Sequence, residues 1–165
     1  MIKKILSSWM VPIVLAVLIV LCIRLFVFDI NIVQGESMET TLFEGDILIC
    51  RKFNLDDISR GDIITANSDE KGHYIVKRII GLPGETVHID DDGYIYINGA
   101  LLQEEYQSAM PSWNLQYNDV TLASDEYWVM GDNRFVSYDS RVFGPLNISD
   151  IRDVVCVRFF PFTIY

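Results

Sequence analysis

"YIVKRIIG", residues 74–81, sets a lysine and an arginine inside a run of β-branched and aromatic residues, and the whole stretch reads as a strand. Strand side chains alternate between faces, so Ile75, Lys77 and Ile79 share one face while Val76, Arg78 and Ile80 share the other. An ammonium group between two isoleucines has two readings. In one, the strand is half exposed and its long cations reach out to water. In the other, burial holds the lysine neutral so that it can serve as a base. The stretch alone leaves both open.

Outward from this strand the pattern repeats. "INIVQG", "GDILICRKF", "GDIITA", "TVHID", "YIYING", "EYWVMG" and "VVCVRFF" are strand-like runs, and helical periodicity is scarce after the first 28 residues. Turn signals separate them: Asp91-Asp92-Gly93, Asn98-Gly99, Gly131-Asp132-Asn133, and Pro83-Gly84 as the central pair of a type II turn. Many short strands with such turns indicate a mainly β fold, an antiparallel sheet or barrel-like body. Residues 107–120 lack a clear period and read as a surface excursion.

The amino-terminal segment differs. Ile5 to Ile23 is a run of 19 residues without charge. As a helix it would span about 28 Å, close to the thickness of a bilayer core. The run is long for a cleaved signal peptide, and its exit, "RLFVFDINIV", has no Ala-x-Ala pattern, so it reads as a retained anchor. The expected division is residues 1–28 as cytoplasmic end and anchor, and 29–165 as a β-rich body outside the cytoplasm. Lys3 and Lys4 set the orientation by the positive-inside rule, with Arg24 reaching the far interface.

Charge follows the same division. Lys3, Lys4 and Arg24 give residues 1–28 a charge of +3, so the remainder carries −13 of the total −10. An acidic body excludes nucleic acid as the expected partner. Among the three cysteines, Cys22 lies in the anchor, and Cys50 and Cys156 sit singly in strand-like runs, where they could pair across a sheet but read more readily as buried free thiols. His73 and His88 are the only histidines, so neither a zinc site nor a Ser-His-Asp triad has a natural set of residues.

Four stretches carry chemistry. "QGESMETTLFEGD" follows the anchor and contains Ser37; "RGDIITA" is a tight turn feeding a strand; "YIVKRIIGLPGE" contains Lys77; and "GDNRFVSYDSRVFG", residues 131–144, is dense in groups that make directed hydrogen bonds. The acids and arginines of the last stretch are spaced to form bidentate pairs that would stiffen a loop. In this order behind an anchor, the four stretches resemble the membrane-bound type I signal peptidases, the serine–lysine bacterial leader peptidases, and the short chain resembles their Gram-positive members.

The resemblance implies an antiparallel β fold resting on the membrane, no cofactor, and no metal. It implies Ser37 as nucleophile, Lys77 as general base, Ser137 as the residue that orients the lysine through a hydrogen bond, and Asp139 with Arg141 as a supporting ion pair. Asp132 matches a structural acid and Arg78 a structural partner. The physics agrees, because a serine needs a base, and an ordinary lysine with a pKa near 10.4 is protonated at neutral pH unless burial lowers it. For the oxyanion the backbone N–H of Ser37 is the first donor. Some relatives place a serine hydroxyl two residues earlier; here Gly35 stands there with only its backbone. Thr40 occupies a position where the family has proline, which would fix φ; its absence implies a looser loop.

The implied substrates are exported preproteins with small residues immediately before the cut and two residues further upstream, met at a lipid bilayer. Two other functions remain: a non-catalytic relative acting as chaperone or assembly factor, and a peptidase dedicated to a few substrates such as pilins. A membrane-tethered binding module would need the four stretches to be coincidental.

Overall fold

A computed structural model of the chain describes residues 2–55, 57–67, 74–106, 118–159 and 162–165, with backbone only for residues 2–8. Helix α1 (Ile2–Phe26) contains the entire uncharged run. Its stretch Trp9–Phe26 is, among the described residues, the one helix long and apolar enough to cross a bilayer, and none of it is buried against the body.

The chain passes almost directly from α1 into the β body. The strands are β1 (Phe28–Ile32), β2 (Ile47–Arg51), β3 (Ile63–Asn67), β4 (Tyr74–Gly81), β5 (Thr86–Ile89), β6 (Ile95–Ile97), β7 (Ala100–Leu101), β8 (Val120–Thr121), β9 (Glu126–Met130), β10 (Leu146–Asn147), β11 (Ile151–Arg158) and β12 (Thr163–Ile164). All eight strand-like runs of the sequence hold a strand. The short pieces β7, β8, β10 and β12 and a single-turn helix, α2 (Ser140–Phe143), are additions. One eight-stranded sheet runs β1-β2-β11-β3-β4-β9-β10, with β12 also on β11; a four-stranded sheet runs β7-β6-β5-β8. The pairings are antiparallel throughout, as the turn signals required. At the expected type II turn, Gly84 has φ +79° and Glu85 N donates to Leu82 O at 3.1 Å.

Apolar burial explains where the site sits. Ile64, Ile79, Val129 and Val154 form one cluster on the large sheet. Ile80, Trp128 and Met130 pack against Val87, Ile89 and Ile95 of the small sheet. A third cluster joins Leu48, Ile63 and Val155 to Met38 and Leu42, which flank the turn after Ser37. Met38 and Leu42 are almost fully buried, and each such side chain contributes about 1.5–3 kcal/mol of transfer free energy. Ser37 is thus carried on a loop pinned to the core by the residues just after it.

Strand β4 has β3 beside it along Tyr74–Arg78, whereas β9 joins only from Arg78 onward. Among the described residues, the half from Tyr74 to Lys77 therefore has one open edge. Both cysteines outside α1 are free thiols: Cys50 is buried on β2 and Cys156 is half-buried at a bulge in β11. Burial pushes the Cys50 thiol up to about 12. The surface excursion read from residues 107–120 lies almost wholly outside the described residues, and so does His73.

Candidate active site

Lys77 is the point where strand geometry becomes chemistry. It lies opposite Ile64 in the β3–β4 ladder, with Ile75 and Ile79 two residues away on its own face. The side chain is buried, at 3% exposure. Desolvation lowers its pKa from the usual 10.5 to about 8; Asp139 pulls upward, Arg141 pushes further down, and Asp132 pulls upward again. Desolvation wins because these charges are already paired with one another, as described below. Lys77 Nζ lies 2.7 Å from Ser37 Oγ and donates to Val76 O at 3.0 Å. Lys77 is therefore buried rather than extended to water.

Ser37 is held from below by the 131–144 stretch. Asn133 N donates to Ser37 O at 3.1 Å. Gly131 packs so tightly there that a Cβ would stand 2.3 Å from both Ser37 O and Ser137 Oγ. Asp139 and Arg141 form a bidentate pair, Nε to Oδ1 at 2.8 Å and Nη2 to Oδ2 at 2.9 Å, and both are buried. Asp139 also accepts from Gly131 N at 3.0 Å and caps α2 through Arg141 N. Burial alone would raise the Asp139 pKa, but the hydrogen bonds and charge of Arg141 bring it below its usual value. Arg141 Nη1 further donates to Arg134 O at 2.9 Å. The pair braces the loop internally.

Arg78 lies on the other face from Lys77 and makes a bidentate bridge to the fully buried Asp132, at 2.8 and 2.6 Å, while Nη1 donates to Gly61 O at 2.7 Å. Thr41 Oγ1 donates to the same Asp132 carboxylate. Asp132 therefore ties β4 to the loop that carries Ser37.

Two expectations differ from the structure. Ser137 Oγ does not hydrogen-bond to Lys77; its hydroxyl faces the Asp139 carboxylate and helps to lower that group's pKa, while Lys77 Nζ is satisfied by Ser37 Oγ and Val76 O. Ser137 nevertheless stands against Gly131, beside the Ser37 carbonyl. Thr40 does not loosen its loop. It sits at φ +87°, and its Oγ1 donates to Tyr106 O at 2.9 Å. Proline, fixed near −65°, cannot take that conformation. Gly35, at φ +81°, lies exposed at the entrance to the same loop.

Other contributors were not singled out by the sequence reading. Arg134 is fully buried and pairs with the equally buried Glu104. Its Nε donates to Gly131 O at 3.0 Å, so it braces the backbone under Ser37. Tyr106 stacks on Arg78, with the guanidinium carbon 3.9 Å from the ring centroid. The only sequence signal for these contacts was the density of polar groups after Gly131; Glu104 is 30 positions away. His88 pairs with Asp119 on the exposed small sheet, in a cavity that contains neither Ser37 nor Lys77. No group of three or more His, Cys, Asp or Glu among the described residues is arranged to hold a metal.

A buried, deprotonatable amine in contact with a half-buried serine hydroxyl can transfer a proton and so generate a nucleophile. Comparison with known proteins gives the family. The family described as signal peptidase, peptidase S26, matches residues 6–160. A signal peptidase I P of Bacillus subtilis subsp. natto is 40% identical, with 96% of this chain and 91% of the relative aligned. A signal peptidase I of Bacillus licheniformis is 37% identical over 97% of this chain and 91% of its own length. A crystal structure of a signal peptidase I from Enterococcus faecalis V583 aligns with 59% of this chain and 96% of its own, at 33% identity and a TM-score of 0.47. With a mainly antiparallel β body behind one amino-terminal apolar helix, and a match spanning nearly its whole length, the chain belongs to the signal peptidase family, peptidase S26.

Proposed function

We propose that this signal peptidase removes signal peptides from exported preproteins by a Ser37/Lys77 dyad. The observation that carries the reading is the 2.7 Å contact between Ser37 Oγ and a buried Lys77 whose pKa is lowered to about 8. Lys77 takes the hydroxyl proton as Ser37 attacks the scissile carbonyl, then gives it to the leaving amine. Lys77 next draws a proton from the water that clears the acyl-enzyme. The Ser37 N–H and the Gly35 backbone are the candidate oxyanion donors, since among the described residues neither amide donates a backbone hydrogen bond of its own. The open edge of β4 from Tyr74 to Lys77 suits an extended substrate added as a strand. Small residues before the cut fit a groove whose walls are already filled by Ile30, Ile32 and Ile75.

In this reading α1 spans the bilayer with Lys3 and Lys4 in the cytoplasm and the β body outside. Exposed Phe159, Phe162 and Ile164, at and just after the end of β11, are apolar side chains that can meet the lipid surface. The test of the dyad is cleavage of a preprotein by wild type, Ser37→Ala and Lys77→Ala. Both variants should fold and neither should cleave. Processing at the wild-type rate by Lys77→Ala would sink the proposal.

A further inference from the structure

The groove that contains Ser37 and Lys77 continues away from them along β1 and β4. It is a cavity of about 490 Å³ whose far end holds Ile30, Tyr74 and Arg152. Strands β1 and β4 are not neighbours; β2, β11 and β3 lie between them. Arg152, on β11 at a bulge in its pairing with β3, spans the gap. Its guanidinium carbon lies 4.3 Å from the centroid of Tyr74 on β4, and its Nη2 lies 3.9 Å from Asp29 Oδ2 on β1. Asp29 already has a closer partner in Lys52 Nζ at 3.0 Å. Arg152 therefore presents a charged, 35% exposed side chain to the groove, with its planar face stacked and, among the described residues, no hydrogen bond from its N–H edges. Arginine brings five donors in a rigid fork suited to carboxylates and carbonyls.

The placement fixes which part of a substrate this cation meets. Lys77 and Tyr74 are three strand residues apart, about 10 Å at roughly 3.3 Å per residue. An extended peptide with its scissile bond at Ser37 then has its fourth residue from the bond beside Arg152. That end of the groove is also the anchor end, because Asp29 is three residues past α1 and its partner Lys52 reaches Arg24 O at 3.5 Å. A preprotein held in the same bilayer by its apolar segment enters from there, so the residue in question lies upstream of the cut.

We propose that Arg152 is a substrate-binding residue that receives an acceptor group on the fourth residue upstream of the cleavage site, favouring a carboxylate over a cation. The proposal rests on the groove being the substrate site. It adds a recognition point beyond the small-residue pockets next to the cut.

The test uses full-length enzyme in detergent and three peptides that differ only at that residue: Glu, Gln or Lys. Both kcat/KM and equilibrium binding by fluorescence anisotropy are read for wild type, Arg152→Lys, Arg152→Gln and Arg152→Glu. Wild type should favour Glu over Lys by about fivefold, as expected for a partly exposed ion pair. The preference should persist in Arg152→Lys, fall to near one in Arg152→Gln, invert in Arg152→Glu, and shrink in high salt. KM should carry most of the change. A Glu-to-Lys ratio that is the same in wild type and Arg152→Glu, in both assays, would overturn the assignment. Loss of cleavage in every protein with the binding preference intact would count against the dyad and for the subsite.

Discussion

Replacing Lys77 by methionine removes the amine while keeping an unbranched chain of similar length, and this should make the protein more stable at neutral pH. The reason is the cost of burying a cation. A fall in pKa from 10.5 to about 8 corresponds to roughly 3 kcal/mol by which folding disfavours the protonated form. The folded protein binds this proton more weakly than the unfolded chain does. Below about pH 8 both states hold the proton, and the folded state bears the whole penalty. Between about 8 and 10.5 the unfolded chain carries a proton that the folded one lacks, so wild-type stability climbs relative to the variant. Above 10.5 both are neutral and the penalty is gone. Urea unfolding of wild type and Lys77→Met in one detergent, at intervals from pH 6 to pH 11, isolates the effect because other titrations cancel in the difference. Lys77→Met should be the more stable protein at pH 7, and the gap should move toward wild type by roughly 3 kcal/mol by the alkaline end. Parallel stability curves would refute the reasoning, since they would mean that Lys77 titrates alike in both states.

Asp139→Ala leaves the buried Arg141 guanidinium without its bidentate partner, and thermal melts should register a loss of about 3–5 kcal/mol; an unchanged melt would mark the pair as a surface contact. Because the Asp139 pKa lies below its usual 3.8, the pair's contribution is complete above that pH and fades as acid protonates the carboxylate. Gly131→Ala forces a Cβ to within 2.3 Å of the Ser37 carbonyl, so cleavage should drop by about 100-fold or more while the fold persists; a near-normal rate would show that Ser37 tolerates displacement. At Thr40, φ +87° costs a non-glycine residue about 1–3 kcal/mol. Thr40→Gly should therefore melt no lower than wild type despite losing the Tyr106 bond, and Thr40→Pro should melt lower; the reverse order would contradict the loop conformation.

How far the sequence reveals this molecule depends on the range of each interaction. "YIVKRIIG" is readable because strand alternation is local: it puts Lys77 between Ile75 and Ile79 without knowledge of any partner strand. The same holds for the turns, where Gly84 and the Asn98-Gly99 pair sit at positive φ as their types require. Strands of two residues, such as β7 and β10, are too short to show a period, and the single turn of α2 is fixed by the Asp139 cap, not by an apolar stripe. The proposed dyad is legible through the resemblance of whole stretches; no spacing rule brings residue 37 to residue 77. Arg134–Glu104 and Tyr106–Arg78 join segments 28–30 positions apart, and their burial depends on how the two sheets meet. Thr40 was read from a missing proline, but its conformation comes from a tertiary partner, the Tyr106 carbonyl.

The most direct measurement of the central claim is the pH dependence of kcat/KM for preprotein cleavage, which reports the titration of the free enzyme. With Lys77 as the base and its pKa lowered to about 8, the rate should rise about tenfold per pH unit on the acid side and level off near that value. A limb that keeps climbing toward the ordinary lysine value of 10.5, or a profile unchanged in Lys77→Met, would contradict it.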